Sequence, residues 1–290
     1  MARSRRRHGH RQSFGELVDL WVDLFKQHNL LTYASAIAFQ SLVALVALLL
    51  LGLAVLGSIG RTDVWNEQIA PHIATKVLPP VYAGIDAIAQ KVFSSSSVGL
   101  IVFASVVTVW EMSGVVRACM GAIAEIYDTE EDRSWKIRIP LSLGVGFVLT
   151  ASIVGSVLLA TVAKGAVNGA WGVPWAALRW LLAVVSIAIG FGTLVRFAPV
   201  QPRTTRWASA GTTVVVVAWI AQALIFGVYL RYVANYTTAV GSLLGVYVLT
   251  TFLYVAAIIL LVGIDLDEQL RKDLQGQEER GILEIVRDVV

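Results

Sequence analysis

Apolar runs too long for the interior of a small soluble domain punctuate this sequence. Between His28 and Arg61 no residue carries a charge, and further long apolar stretches begin near Val98, Ile139, Trp175, Trp207 and Val240. A helix needs about 20 apolar residues to cross the hydrocarbon core of a bilayer, and these windows reach that length. Composition agrees: 57% of the 290 residues are hydrophobic and 15% are charged, with a mean hydropathy of +0.71. A soluble protein with an unusually apolar core would not need such runs, so the chain reads as an integral membrane protein. The single cysteine, Cys119, lies within an apolar run and excludes an intrachain disulfide.

The sequence predicts six spans, at about Leu31 to Ile59, Val98 to Ile123, Ile139 to Val162, Trp175 to Phe197, Trp207 to Tyr232 and Val240 to Ile264. Ahead of them, MARSRRRHGHR carries five arginines and no acid. The mixed segment after this tail and the length of the following apolar run argue against a cleaved signal peptide and for a first membrane anchor. Ser13 and Glu16 make a capping-box pattern. Phe14, Leu17, Val18, Trp21, Leu24 and Phe25 then recur opposite Glu16, Asp19, Asp23 and Lys26, which predicts an amphipathic helix lying along the membrane surface through His28. The fold class expected is all-α: a six-span transmembrane helical bundle with an N-terminal interfacial amphipathic helix. Residues 1–29 form the basic tail and surface helix, 30–267 the membrane domain and 268–290 a C-terminal tail.

Charge asymmetry orients the bundle. An even number of spans leaves both termini on one side. That side holds sixteen Lys and Arg residues, against six on the other: Arg61, Lys76, Lys91, Lys164, Arg179 and Arg231. Both termini are therefore expected in the cytoplasm, with the chain a multi-pass membrane protein. The long connection Gly60 to Ser97 is expected outside. There Val81, Ile85, Ile88 and Val92 recur at helical spacing after Pro79 and Pro80, predicting a short helix on the outer surface. With no soluble domain behind the basic tail, anionic lipid headgroups rather than nucleic acid are its expected partners.

Charges inside the spans are the candidate functional residues. Glu111 and Arg117 are six residues apart, about 240° around a helix, and so cannot satisfy one another. Each costs on the order of 2.5 to 3.5 kcal/mol at the centre of a membrane, and such residues usually face the bundle interior or a wet cavity. The second, fourth and sixth spans bring Arg117, Arg196 and Asp265 toward one end of the bundle, and Arg117 is expected to pair with Asp265. Tying helices together and contacting an anionic ligand are both consistent with that placement. Gly241 and Gly245 form GxxxG, and Gly144, Gly155, Gly190 and Gly192 add small residues expected to let helices pack closely. His8, His10, His28 and His72 all lie outside the spans, and no phosphate-binding GxxxxGK[ST] loop is present. The sequence thus calls for no metal, cofactor or catalytic residue.

At VWEMSGVVRACMGAIAEIYD, RFAPVQPRTTRW and ANYTTAVGSLLGVYVLTTFLYVAAIILLVGIDLDEQL the chain resembles the YihY/BrkB family of six-span bacterial inner-membrane proteins, in order over nearly all of residues 20 to 270. Asn235, Tyr236, Gly241 and Ser242 stand where that family tends to have an NY…YGS pattern, and Gly263 and Asp265 where it tends toward a GAE-like ending. Trp110, Arg117 and Tyr127 fall on its recurring positions. The chain departs from the pattern at Ala44 and Ala47, where a serine and then a proline are common; at Val240, where tyrosine is usual; and at Asp265, where glutamate is. Glu111 matches no recurring position. The resemblance implies the fold and adds Asn235 and Tyr236 to the candidate ligand-binding set of Arg117, Asp265, Glu111 and Arg196.

The family's historical ribonuclease BN label finds no supporting residues in this sequence. Two function classes remain. One is a transporter or flippase for an anionic, lipid-like amphiphile, compatible with Arg117, Arg196, Arg203 and Arg206 gathering near the inner leaflet. The other is a non-transporting scaffold or envelope-assembly factor, working as a homo-oligomer or with envelope partner proteins. The orientation is directly testable in a Cys119→Ser background. A membrane-impermeant thiol reagent added outside is expected to label a Ser95→Cys protein and to leave a Ser4→Cys protein unlabelled; the reverse pattern would overturn the topology.

Overall fold

The computed structural model describes residues 29–95, 97–127, 129, 133–161, 172–200, 210–232 and 239–274. The expected surface helix ending at His28 lies outside them. Six helices are long and apolar enough to cross a membrane: α1 (Leu30–Ser58), α4 (Val98–Ile126), α5 (Trp135–Thr161), α6 (Gly172–Phe197), α7 (Ala210–Tyr232) and α8 (Ala239–Leu274). Two shorter helices, α2 (Ala70–Ala74) and α3 (Pro79–Ser94), fill the long connection after α1, preceded by a π-helical segment at Val64–Ile69. The molecule is an all-α, multi-pass membrane protein, as the sequence predicts. The last span differs: α8 runs on past the expected end at Ile264 and crosses the expected domain boundary at 267.

Local chemistry sets the helix limits. Asn29 precedes α1 in the left-handed conformation (φ 48°), which asparagine tolerates better than most residues. Ser97 caps α4 by accepting from Leu100 N at 3.3 Å. Two prolines open α3, where their missing N–H groups cost nothing. Alanines at 44 and 47 leave α1 an unbroken helix. Both are buried, and Ala47 O accepts from Thr108 Oγ1 at 3.0 Å across the seam with α4.

Laterally the spans are ordered α6, α5, α4, α1, α8, α7, with α8 also touching α4. The main core joins Leu30, Ala34 and Ile37 of α1, Val116, Met120 and Ile126 of α4, Val145 and Leu149 of α5, Leu194 of α6, and Ala257 and Leu261 of α8. Among the described residues none of α7 belongs to it. A second, smaller cluster of Trp65, Ala70 and Ala89 packs the connection against Leu53 of α1, and Trp65 Nε1 donates to Asp86 Oδ1 at 2.8 Å. Helix α3 turns Val92 inward and leaves Val81, Ile85 and Ile88 exposed.

Lipid tails are as apolar as leucine, so span association depends on close packing and cross-helix hydrogen bonds. The glycines that permit it are only partly those expected. A Cβ on Gly146 would sit 2.9 Å from Ser113 N, and one on Gly190 3.0 Å from Ser152 Cβ. At the α7–α8 crossing Gly211 lies against the Gly263 carbonyl, and a Cβ there would also come within 2.6 Å of Asp267 Cγ. Gly144, in contrast, faces open space. Gly211→Ala is therefore expected to lower unfolding free energy by about 1–3 kcal/mol through overpacking against fixed backbone. Gly144→Ala should be neutral or stabilising by up to about 1 kcal/mol through helix propensity. Thermal unfolding in one detergent compares them.

Candidate functional site

Arg117 is half-buried on the side of α4 away from its core face, at the seam with α5. Met112, Val116, Cys119 and Ile123 turn into the core, while Phe103, Val106 and Trp110 make an exposed stripe on the opposite side. Arg117 is seven residues beyond Trp110 and continues that stripe. Its Nη1 donates to Ser113 Oγ at 2.7 Å, one turn earlier, and to Ser142 Oγ of α5 at 3.2 Å. The guanidinium carbon lies 5.6 Å from the centre of the Trp110 ring, within cation–π range. From the first turn of α5, Arg138 Nη2 reaches the carbonyl of Arg117 at 3.4 Å.

The expected Arg117–Asp265 pair is not among the ion pairs of the described residues. Asp265 sits instead in the core of the α8 end, 2% exposed, where its Oδ2 accepts from Gln269 Nε2 at 3.0 Å. The two residues point to different surroundings because α4 turns its core face, and not the Arg117 stripe, toward α8. Glu268 and Gln269 are buried alongside Asp265, and Arg271 grips Glu268 through Nε at 2.9 Å. Asp267, on the α7 side, accepts from Gly211 N at 2.7 Å and so satisfies an otherwise orphaned amide in the first turn of α7.

Glu111 is satisfied across the α1–α4 seam. Gln40 Nε2 donates to Glu111 Oε2 at 3.1 Å, and the Gln40 side chain lies in the space that a side chain at Gly114 would fill. The same seam carries Tyr33 Oη, which donates to Glu125 Oε2 at 3.4 Å. A lone glutamine inside the first apolar run was the signal for this contact, since a buried amide in a span needs a partner.

Arg196 is exposed near the end of α6 and is not drawn into the Arg117 group; Asn235 and Tyr236 lie outside the described residues. Other basic residues, read from sequence only as markers of sidedness, cap helices. Arg133 donates to Phe197 O at 3.2 Å and Ala198 O at 2.8 Å at the end of α6. Arg179, itself buried, donates to Ala160 O of α5 at 2.9 Å, and Lys76 to Leu230 O of α7 at 3.2 Å. Cations at these ends also match the helix dipole. In the long connection Arg61 forks onto Asp63 at 2.9 and 3.0 Å, a hydrogen-bonded contact that holds the Asp63 carboxyl below its ordinary range. Among the described residues no group of three or more His, Cys, Asp or Glu side chains could hold a metal ion.

The Gln40–Glu111 contact yields a graded test. Glu111→Gln keeps an acceptor for the Gln40 amide and should unfold close to wild type. Glu111→Leu strands that amide and should cost about 1–3 kcal/mol, whereas joining Gln40→Leu to it should recover part of the loss. Equal losses in the single and double leucine variants would show that the two side chains do not interact.

Over 216 residues the chain is 26% identical to a protein of Bacillus subtilis (strain 168) with the provisional name "ribonuclease-like protein YfkH"; the alignment covers 71% of this chain and 76% of that one. No solved structure matches. The family described as virulence factor BrkB matches residues 22–282, nearly the whole of the membrane bundle and both of its flanks, and the chain belongs to that family.

Proposed function

We propose that this protein moves an anionic, lipid-like amphiphile between the leaflets of the bacterial cytoplasmic membrane, with both termini in the cytoplasm. The observation that carries this reading is the attachment of α7. Five spans share one core, and among the described residues α7 packs along its length only against α8. Trp219 Nε1 donates to Ala256 O at 3.0 Å and Gln222 Nε2 to Phe252 O at 2.7 Å, while Gly211 meets Gly263 at one end. Toward α6 the described contact is one edge-to-face pair, Phe191 with Trp219, 5.2 Å between centroids; the two helices are not packed along their length. A span held on one side only can swing from its neighbour at small cost. On this reading the lipid passes between α6 and α7, which expose apolar side chains such as Leu181 and Ile189 on one and Val217 and Leu224 on the other, suited to acyl chains, while the basic residues near the expected cytoplasmic end suit an anionic headgroup.

Ribonuclease activity is not part of this reading. Cleaving a phosphodiester requires a positioned acid and base or a metal-activated water, and the reading assigns no described side chain to either role. The buried carboxylates of α8 serve packing between helices, the feature that a purely structural scaffold would share.

Purified protein in liposomes, with tail-labelled fluorescent lipids and a membrane-impermeant quencher, tests the proposal. Anionic lipid should lose its inner-leaflet protection faster than in protein-free liposomes, and zwitterionic lipid less so. Joining α6 to α7 through Phe191→Cys and Trp219→Cys with a disulfide-containing bis-thiol crosslinker, in the Cys119→Ser background, should stop that exchange until a reductant is added. Exchange no faster than in empty liposomes for every lipid class would favour the scaffold.

A further inference from the structure

We infer that Arg117 and Arg138 form the two-pronged seat of an anionic phospholipid phosphate on the lipid-facing side of the α4–α5 seam. The proposal does not rest on the α6–α7 pathway proposed above, since α4 and α5 meet elsewhere in the bundle. It starts from the direction of the Arg117 side chain. Arg117 is nine residues from the end of α4, or about 13 Å along the axis. Its guanidinium turns back along the helix toward Trp110 and Ser113 and not out toward the nearer membrane surface. A cation so placed, beside a Trp ring that is 54% exposed, meets acyl chains and glycerol backbones rather than bulk water.

The hydroxyls around it are preset as acceptors. Ser113 Oγ donates its own hydrogen to Trp110 O at 2.6 Å, and Ser142 Oγ donates to Ile139 O at 2.9 Å. Each leaves a lone pair for Arg117 Nη1, which fixes the plane of the guanidinium and leaves the Nε and Nη2 edge without an acceptor among the described residues. Arg138 lies one turn before Ser142 and touches the Arg117 backbone. Its Nε is buried without a hydrogen-bond partner, a costly state for a charged donor. Two arginines thus enter the same stretch of the α4–α5 seam with no carboxylate partner among the described residues, and an anion lying between their guanidinium groups would offset both charges in a medium of low dielectric. A phosphodiester suits this role because its paired oxygens match guanidinium forks, and its two chains lie along the exposed apolar stripe of Phe103, Val106 and Trp110.

Wild-type protein in a zwitterionic detergent is titrated with phosphatidylglycerol, phosphatidylcholine or inorganic phosphate while its Tm is followed. Phosphatidylglycerol should raise Tm, because a ligand that binds only the folded state stabilises it. Phosphatidylcholine should raise it much less and inorganic phosphate not at all. The increment should be lost in Arg117→Gln and in Arg138→Gln. If those variants fail to fold, tryptophan quenching by chain-brominated lipids in folded protein decides: brominated phosphatidylglycerol should quench a component that Trp110→Phe removes, and brominated phosphatidylcholine should spare it. Stabilisation by inorganic phosphate equal to that by phosphatidylglycerol would assign the anion to solution and overturn the lipid seat. Equal shifts or equal quenching by the two lipids, or an undiminished shift in the glutamine variants, would overturn the site itself.

Discussion

Backbone that crosses a bilayer has no water to complete its hydrogen bonds, and helices in lipid gain little from hiding apolar surface against one another. Everything distinctive in this bundle answers that double constraint. Where helices meet, small residues let backbones approach: Gly146 against Ser113, Gly190 against Ser152, Gly211 against Gly263. Where they must be held in register, a polar side chain reaches a neighbour's carbonyl or carboxylate, as Thr108 does to Ala47 and Ser186 Oγ to Ser152 O at 3.0 Å. Where they end, a cation from another element covers the last carbonyls, as Arg133, Arg179 and Lys76 do. Basic residues that the sequence offered only as markers of sidedness thus also complete helix ends, Arg133 on the side of the termini and Arg179 and Lys76 on the other.

The spans were legible in the sequence because length and apolarity are properties of one segment. Neighbour identity is a property of pairs, and there the reading weakened. Periodicity gave the angle between Glu111 and Arg117 correctly and showed that they cannot meet. It could not say that Glu111 turns to α1 and Arg117 to α5, because that depends on which helices flank α4. The Arg117–Asp265 expectation failed for this reason: both residues approach the same end of the bundle, yet on different faces of the helices that carry them. Residues with weaker individual signals supply the actual contacts. Ser113, Ser142 and Gln40 are ordinary in spans until a charged partner is found beside them.

Glycine patterns show the same limit from another side. Gly144 and Gly190 look equivalent in sequence, but one faces open space and the other a seam. The family resemblance, in turn, placed Asp265 as a position of interest without revealing its setting. Helix α8 continues to Leu274, so Asp265, Glu268 and Gln269 lie on a continuous helical face against α1 and α4 rather than at a frayed end. A carboxylate that reads as a span terminus is a core residue here.

These placements divide the molecule into parts of unequal stiffness. The α1–α4–α5–α8 group is joined by a shared core and by cross-helix hydrogen bonds on several levels, and α6 joins it through Leu194, Ser186 and Gly190. Removing any one of these contacts leaves others to hold the same geometry. Helix α7 stands outside that core, and its hydrogen bonds from Trp219 and Gln222 run to α8. A displacement that keeps α7 and α8 together would strain the α8–α1 packing and the buried Asp265 group. One that moves α7 alone gives up the hydrogen bonds made at Trp219, Gln222, Gly211 N and Leu230 O, together with the Gly211 crossing. Because an intramembrane hydrogen bond between helices contributes on average only about 0.6 kcal/mol, the second route costs less than disrupting the shared core, and it moves the one span that lies outside that core among the described residues.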